Sequence, residues 1–161
     1  MSKKSILVIE DDQFISDTII HMLSNNNYNA HAVFNGKEAM NFLNNNHESN
    51  LLDCILLDFK MPIMGGVKFL HEFRNSNLKN KNMPIVVLTA YEDKQKWHAA
   101  GFTAGSVAAY LKKPLDEDNV LHTLDRIFNE NIENMIEETD IKSLEKKKDF
   151  LWEQFKKENA K

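Results

Sequence analysis

The chain has 161 residues, 42% of them hydrophobic and 27% charged, with a formal net charge of −4. That composition suits one globular domain with an appendage, able to bury a core without disulfide or metal staples. The modest negative charge speaks against non-specific nucleic-acid binding, and no apolar stretch approaches the roughly 20 residues of a membrane span.

The N-terminus, Met1-Ser2-Lys3-Lys4, enters the short apolar run Ile6–Ile9, too brief for a secretory signal, so a cytoplasmic protein is expected. Ile6–Ile9 reads as a first strand. Phe14, Ile15, Thr18, Ile19, Met22 and Leu23 then recur at three- and four-residue spacing, which predicts a helix ending at Asn25–Asn27. Tyr28–Phe34 is a weaker strand of alternating character. The pair Asn35-Gly36 precedes a second helix over Lys37–Leu43, and Asn44–Asn46 reads as a loop. Ile55–Leu57 is a third strand, within an apolar run holding the single cysteine, Cys54, which is expected to be a buried, inert thiol.

Val67, Phe69, Leu70 and Phe73 mark a third helix, and Ile85–Leu88 a fourth strand. A poorly amphipathic fourth helix is read over Asp93–Ala104. Ala108–Leu111 is a fifth strand, and Val120, Leu121, Leu124, Ile127 and Phe128 mark a fifth helix. Short apolar runs bounded by turn residues suit strands buried on both faces. Strand and helix alternating five times predict an α/β fold, a doubly wound parallel sheet with right-handed crossovers. In such a fold the ligand site lies beyond the carboxyl ends of the strands.

After Phe128 the composition changes. Residues 129–161 contain no Gly or Pro and are dense in Glu and Lys. Ile132, Met135 and Ile136 form one apolar stripe; Ile141, Leu144, Leu151 and Phe155 form another, with Asp140 as a cap between them and Lys148 interrupting the second. Glu138–Lys142 and Glu153–Lys157 are favourable i,i+4 pairs. The chain therefore divides into a domain over 1–128 and a helical extension over 129–161. The extension reads either as a solvated helix or as a linker or dimerising arm.

The chemistry sits at the strand ends. Glu10-Asp11-Asp12 follow the first strand, and Asp58 follows the apolar run of the third. Neighbouring strands would bring at least three carboxylates into one pocket. Two unit charges about 4 Å apart repel by roughly 4 kcal/mol at an effective dielectric near 20, so the cluster calls for a cation. An all-oxygen, shallow site favours magnesium. Thr89 ends the fourth strand and Lys113 the fifth, supplying a hydroxyl and an ammonium that can hold phosphoryl oxygens. A carboxylate nucleophile, a metal site, a hydroxyl and a cation are the equipment for phosphoryl transfer onto an aspartate. Taken singly each is ordinary, and Asp12 also suits a simple helix N-cap.

Together, Ile6-Leu7-Val8-Ile9-Glu10-Asp11-Asp12, Leu56-Leu57-Asp58-Phe59-Lys60-Met61-Pro62, Val87-Leu88-Thr89-Ala90 and Tyr110-Leu111-Lys112-Lys113-Pro114 resemble the signatures of response regulator receiver domains. Asn35-Gly36-Lys37-Glu38-Ala39 is similar to another recurrent segment of that family, and the resemblance covers about residues 4–128. It implies a flavodoxin-like sheet of strand order 2-1-3-4-5. It implies Asp58 as phosphoacceptor, and Glu10, Asp11, Asp58 and the carbonyl of Lys60 as ligands of Mg2+. By the same match Thr89 and Tyr110 are the switch pair. Lys113 contacts the phosphoryl group, and its bond to Pro114 is expected to be cis.

The implied function is two-component phosphorelay signalling. The phosphoryl group comes from a sensor histidine kinase or a histidine phosphotransfer protein, and it switches the face built by the fourth helix, fifth strand and fifth helix. On this reading the protein is a switch rather than an enzyme. Neither direct DNA binding nor membrane association is expected, and a homodimer through the C-terminal arm is left open. So is a chain that is either a stand-alone regulator or a fragment cut within a linker.

Two alternatives stay on the table. One is an unphosphorylated receiver-like scaffold acting through the C-terminal helix. The other is an aspartyl phosphatase, which would want a second Asp where Lys60 stands. The sequence departs from the family at Met61-Pro62-Ile63-Met64-Gly65-Gly66, where Met-Pro-x-Met-Asp-Gly is usual; the missing Asp removes an expected cap of the third helix. Gly101–Ala109 is also longer than usual.

Overall fold

The computed structural model describes residues 3–90 and 107–129. Five parallel strands form one sheet: β1 (Ser5–Ile9), β2 (Asn29–Val33), β3 (Leu52–Asp58), β4 (Ile85–Thr89) and β5 (Ala109–Lys112), in the order β2-β1-β3-β4-β5. Helices α1 (Gln13–Asn25), α2 (Gly36–Asn45) and α3 (Gly66–Arg74) and a further helix, Glu117–Asn129, pack against it. The expected strand order and fold class are both found. The helix expected over Asp93–Ala104 and the extension beyond Asn129 lie outside the described residues.

The central strands β1, β3 and β4 are buried on both faces because their side chains alternate between two apolar layers. The edge strands β2 and β5 are only partly covered, so the two-sided burial expected of the fifth strand is not found. Leu7, Ile9, Ile55, Leu57, Ile85 and Val87 pack with Ala39 and Leu43 of α2 and Phe69, Leu70 and Phe73 of α3. Their sequence neighbours Ile6, Val8, Cys54, Leu56, Val86 and Leu88 pack with Ile19, Met22 and Leu23 of α1 and Val120, Leu124 and Ile127 of the Glu117–Asn129 helix. Full burial of each large aliphatic side chain contributes about 1.5–3 kcal/mol. A one-residue slip of a central strand would exchange its two sets of partners, so the apolar runs fix the register as well as the sheet. Cys54 lies in this core with burial pushing its thiol up to about 12, an inert group as expected.

Caps set where the helices begin. The Asp12 carboxylate accepts from Ile15 N at 3.0 Å, and Asn35 Oδ1 accepts from Glu38 N at 2.9 Å. At the start of α3 the cap residue is Gly65, with no side-chain cap hydrogen bond, which is the loss the sequence predicts. Asn44–Asn46 is not simply a loop. Asn44 and Asn45 finish α2, with Asn44 Nδ2 donating to Met40 O at 2.7 Å, and Asn46 caps a short 3-10 helix over His47–Leu51. The back-bond to the helix's own carbonyl satisfies the Asn side chain without breaking the helix.

The β3–α3 connection is tight. A Cβ on Gly66 would lie 2.3 Å from Phe59 Cδ1, 2.7 Å from Asp58 O and 2.8 Å from Phe59 Cα. A Cβ on Gly65 would meet nothing closer than Phe59 O at 3.1 Å. Gly66→Ala should therefore destabilise by about 1–3 kcal/mol despite the better helix propensity of alanine. Gly65→Ser should cost less than Gly66→Ala, since its closest approach is longer and serine is an acceptable cap. Urea unfolding of both variants checks this; equal effects would contradict the close approach.

Candidate functional site

Parallel pairing brings the carboxyl ends of the strands to one rim. Ile9 lies opposite Leu57, Asp58 opposite Leu88 and Thr89 opposite Lys112. Residues at or just after the ends of β1, β3, β4 and β5 are therefore gathered along this rim. Glu10 follows β1 and is 1% exposed, its amide donating to Val33 O at 3.1 Å. Asp58 is the last residue of β3 and is 8% exposed, whereas Asp11 is exposed. Carboxylate oxygens of Glu10, Asp11 and Asp58 all lie within 4.8 Å of one another. Asp12 is the acidic residue that does not join them, because its side chain is spent capping α1.

Lys113, just beyond β5, completes the cluster. Its Nζ donates to Glu10 Oε2 at 2.5 Å and lies 3.5 Å from Asp58 Oδ1. The amide of Lys113 donates to Thr89 O at 2.8 Å, which ties the lysine to the end of β4, and the Lys113–Pro114 peptide is cis. Lys113 is thus the counter-charge inside the cluster, with Glu10 its nearer partner. The sequence offers Lys113 as a ligand of phosphoryl oxygens but gives no sign of the Glu10 pairing, which joins residues 103 apart in the chain.

The electrostatics follow from burial. Loss of solvent first, and then the neighbouring Glu10 carboxylate, raise the Asp58 carboxyl from 3.8 to about 6; Lys113 and the Lys60 amide hydrogen bond oppose this. Lys60 thus meets Asp58 through its N–H.

The two switch candidates have different surroundings. Thr89 is buried, and its hydroxyl donates to Ala90 O at 3.0 Å. Tyr110 is half-buried against the α2/α3 side of the core, where burial pushes its phenol up to about 12.

The donor set suits a hard divalent cation. Three carboxylates offer only oxygen, and octahedral Mg–O distances of about 2.1 Å need ligand oxygens about 3–4 Å apart, within small adjustments of the cluster. One lysine cannot neutralise three carboxylates. Among the described residues no other group of three or more His, Cys, Asp or Glu side chains converges in this way.

Comparison with known proteins leads to the same place. A profile described as response regulator receiver domain matches residues 6–125. The transcriptional regulatory protein CrdR of Helicobacter pylori is 30% identical over 129 residues, 80% of this chain and 57% of CrdR. The response regulator MprA of a Mycobacterium species (strain KMS) is 32% identical over 116 residues, 72% of this chain and 46% of MprA. The chain thus spans about half the length of these curated relatives. Among solved structures, the chemotaxis response regulator CheY4 of Vibrio cholerae superposes with a TM-score of 0.67 at 26% identity, covering 78% of this chain and 98% of that one. The receiver domain of a sensor histidine kinase from Pseudomonas aeruginosa PAO1, described with a magnesium ion coordinated in its active site cleft, gives a TM-score of 0.68 at 26% identity over 79% of this chain and 98% of that one. By profile, by relatives and by fold, the chain belongs to the response regulator receiver domains of two-component signalling systems.

Proposed function

We propose that Asp58 is the phosphoacceptor of this receiver domain, with Glu10, Asp11, Asp58 and the carbonyl of Lys60 holding a magnesium ion beside it. The convergence of three carboxylates within 4.8 Å, with an ammonium 3.5 Å from Asp58, supports this best. The donor is a phosphohistidine on a sensor kinase or a phosphotransfer protein. An Asp58 carboxylate oxygen attacks phosphorus in line as the P–N bond breaks, and the imidazole leaves to take up a proton. When bound, magnesium supplies positive charge that offsets the carboxylates and the oxygens of the transferring group. Lys113 exchanges Glu10 for a phosphoryl oxygen, and the Thr89 hydroxyl leaves Ala90 O for another. Water later attacks the acyl phosphate at phosphorus, releasing phosphate and restoring the carboxylate.

A metabolic phosphatase is disfavoured, because Lys60 stands where a second carboxylate would be needed. The output is a two-state shift of the face carrying β5 and the Glu117–Asn129 helix, between which Tyr110, Lys112, Leu115, Asn119 and His122 line a shallow groove. No described helix is long and apolar enough to cross a membrane. We propose as well that the chain acts in the cytoplasm without binding DNA directly, and that residues 129–161 are a helical extension or linker.

Acetyl phosphate with magnesium should add one phosphoryl mass to the intact chain, and Asp58→Asn should abolish it. Undiminished labelling of the variant would place the chemistry elsewhere.

The raised Asp58 carboxyl gives a second test. Between about pH 4 and 6 the folded chain keeps a proton that the unfolded chain has released, so this group makes stability fall as pH rises through that window. Asn at position 58 has no such proton. Without divalent ions, Asp58→Asn should be more stable than wild type by on the order of 2 kcal/mol at pH 7, with the gap closing towards pH 4. Magnesium should narrow the gap at pH 7 by binding the wild-type carboxylates. A gap independent of both pH and magnesium would contradict the assigned electrostatics.

A further inference from the structure

We infer that the start of α2 is a positioning element for the phosphorylation site, acting through a chain of backbone hydrogen bonds that runs across the β3–α3 connection. The inference rests on the proposed site, and its links are hydrogen bonds joined by short stretches of covalent backbone. At one end, Asn35 and Glu38 cap α2 reciprocally: Asn35 Oδ1 accepts from Glu38 N at 2.9 Å, while the Glu38 carboxylate accepts from Phe34 N and from Asn35 Nδ2, both at 2.9 Å. That box fixes the first turn, where Gly36 N donates to Met64 O at 2.9 Å. Gly36 is pressed so close that a Cβ there would lie 2.8 Å from both Met64 Cγ and Met64 O, and 2.9 Å from Phe69 Cβ.

Met64 passes the constraint on. Its own N–H donates to Pro62 O at 2.7 Å, closing a three-residue turn around Ile63. Ile63 has φ 69°, a left-handed conformation that a β-branched residue rarely adopts, and its side chain is 77% exposed. Packing of that side chain therefore does little to offset the strain, and the turn is held from its flanks. At the other flank Gly66 N donates to Phe59 O at 3.0 Å, closing the connection on itself. Between these fixed points lies Lys60, whose N–H bonds the Asp58 carboxylate and whose carbonyl is the proposed fourth protein ligand. Glu38 is thus a positioning residue, touching neither the ion nor the phosphoryl group, and loosening it should slacken the Lys60 end.

The experiment titrates the 161-residue chain with magnesium alone, following the Lys60 amide by NMR, beside a thermal melt of each variant. Glu38→Ala should raise the magnesium dissociation constant by about three- to tenfold, below or at the low end of losses seen when direct ligand supports are removed. Glu38→Gln should restore most of the affinity, since glutamine can serve in a capping box. Asn46→Ala, which removes the cap of the 3-10 helix outside this chain of bonds, should lower the melting temperature while leaving magnesium affinity within twofold of wild type. Ile63→Pro is the second route, because proline cannot take a positive φ and the side chain lies outside the core; it too should weaken magnesium binding. Wild-type affinity in both Glu38→Ala and Ile63→Pro would overturn the inference, as would an equal loss of affinity in Asn46→Ala. A wild-type titration in which magnesium leaves Lys60 unmoved would instead overturn the site assignment itself.

Discussion

Like charges forced together at the rim of the sheet are the constraint on which the rest of this molecule turns. Two of the three carboxylates, Glu10 and Asp58, are almost fully removed from solvent. At separations of a few ångström such groups repel by several kcal/mol unless a cation intervenes. Lys113 is the protein's own partial answer, placed nearer Glu10 than Asp58. Its single charge leaves the cluster negative, which is the imbalance that the proposed magnesium ion would offset. The same imbalance makes Asp58 hard to ionise on its own and responsive to what is bound beside it.

The sheet supplies this arrangement because its parallel topology aims every strand at the same rim. The apolar layers on both faces hold the register, and the register places Asp58 and Thr89 at adjacent strand ends. Stability and the candidate chemistry are therefore separable along β3 and β4: the apolar interior secures the fold, and the terminal Asp58 and Thr89 lie at the rim. Thr89 and Tyr110 illustrate a second separation. In this structure the hydroxyl is satisfied by Ala90 O while the aromatic ring already packs against the core, so hydroxyl and ring have distinct partners.

Much of this was legible in the sequence because its signals are local. Short apolar runs ending in acidic or hydroxyl residues marked β1, β3 and β4, and the spacing of Phe14 to Leu23 marked α1. Asp12 could be weighed as a cap from its place before an apolar stripe, and Gly65 as a missing one. What could not be read were contacts between distant residues and bonds made by backbone. The Lys113–Glu10 pair spans most of the domain, and Met64 bonds Gly36 through its carbonyl, which carries no residue identity. The asparagine run at 44–46 misled because asparagine disfavours helix interiors, yet Asn44 satisfies its amide on a helix carbonyl and lets α2 continue. The strained φ of Ile63 is likewise invisible in sequence, where a β-branched residue argues against it.

The convergence of oxygen ligands on a divalent ion is tested most directly by paramagnetic broadening with substoichiometric Mn2+. Amide resonances of Glu10, Asp11, Asp58 and Lys60 should vanish first, and excess Mg2+ should bring them back. Broadening centred on any other part of the chain, or unaffected by Mg2+, would contradict the account.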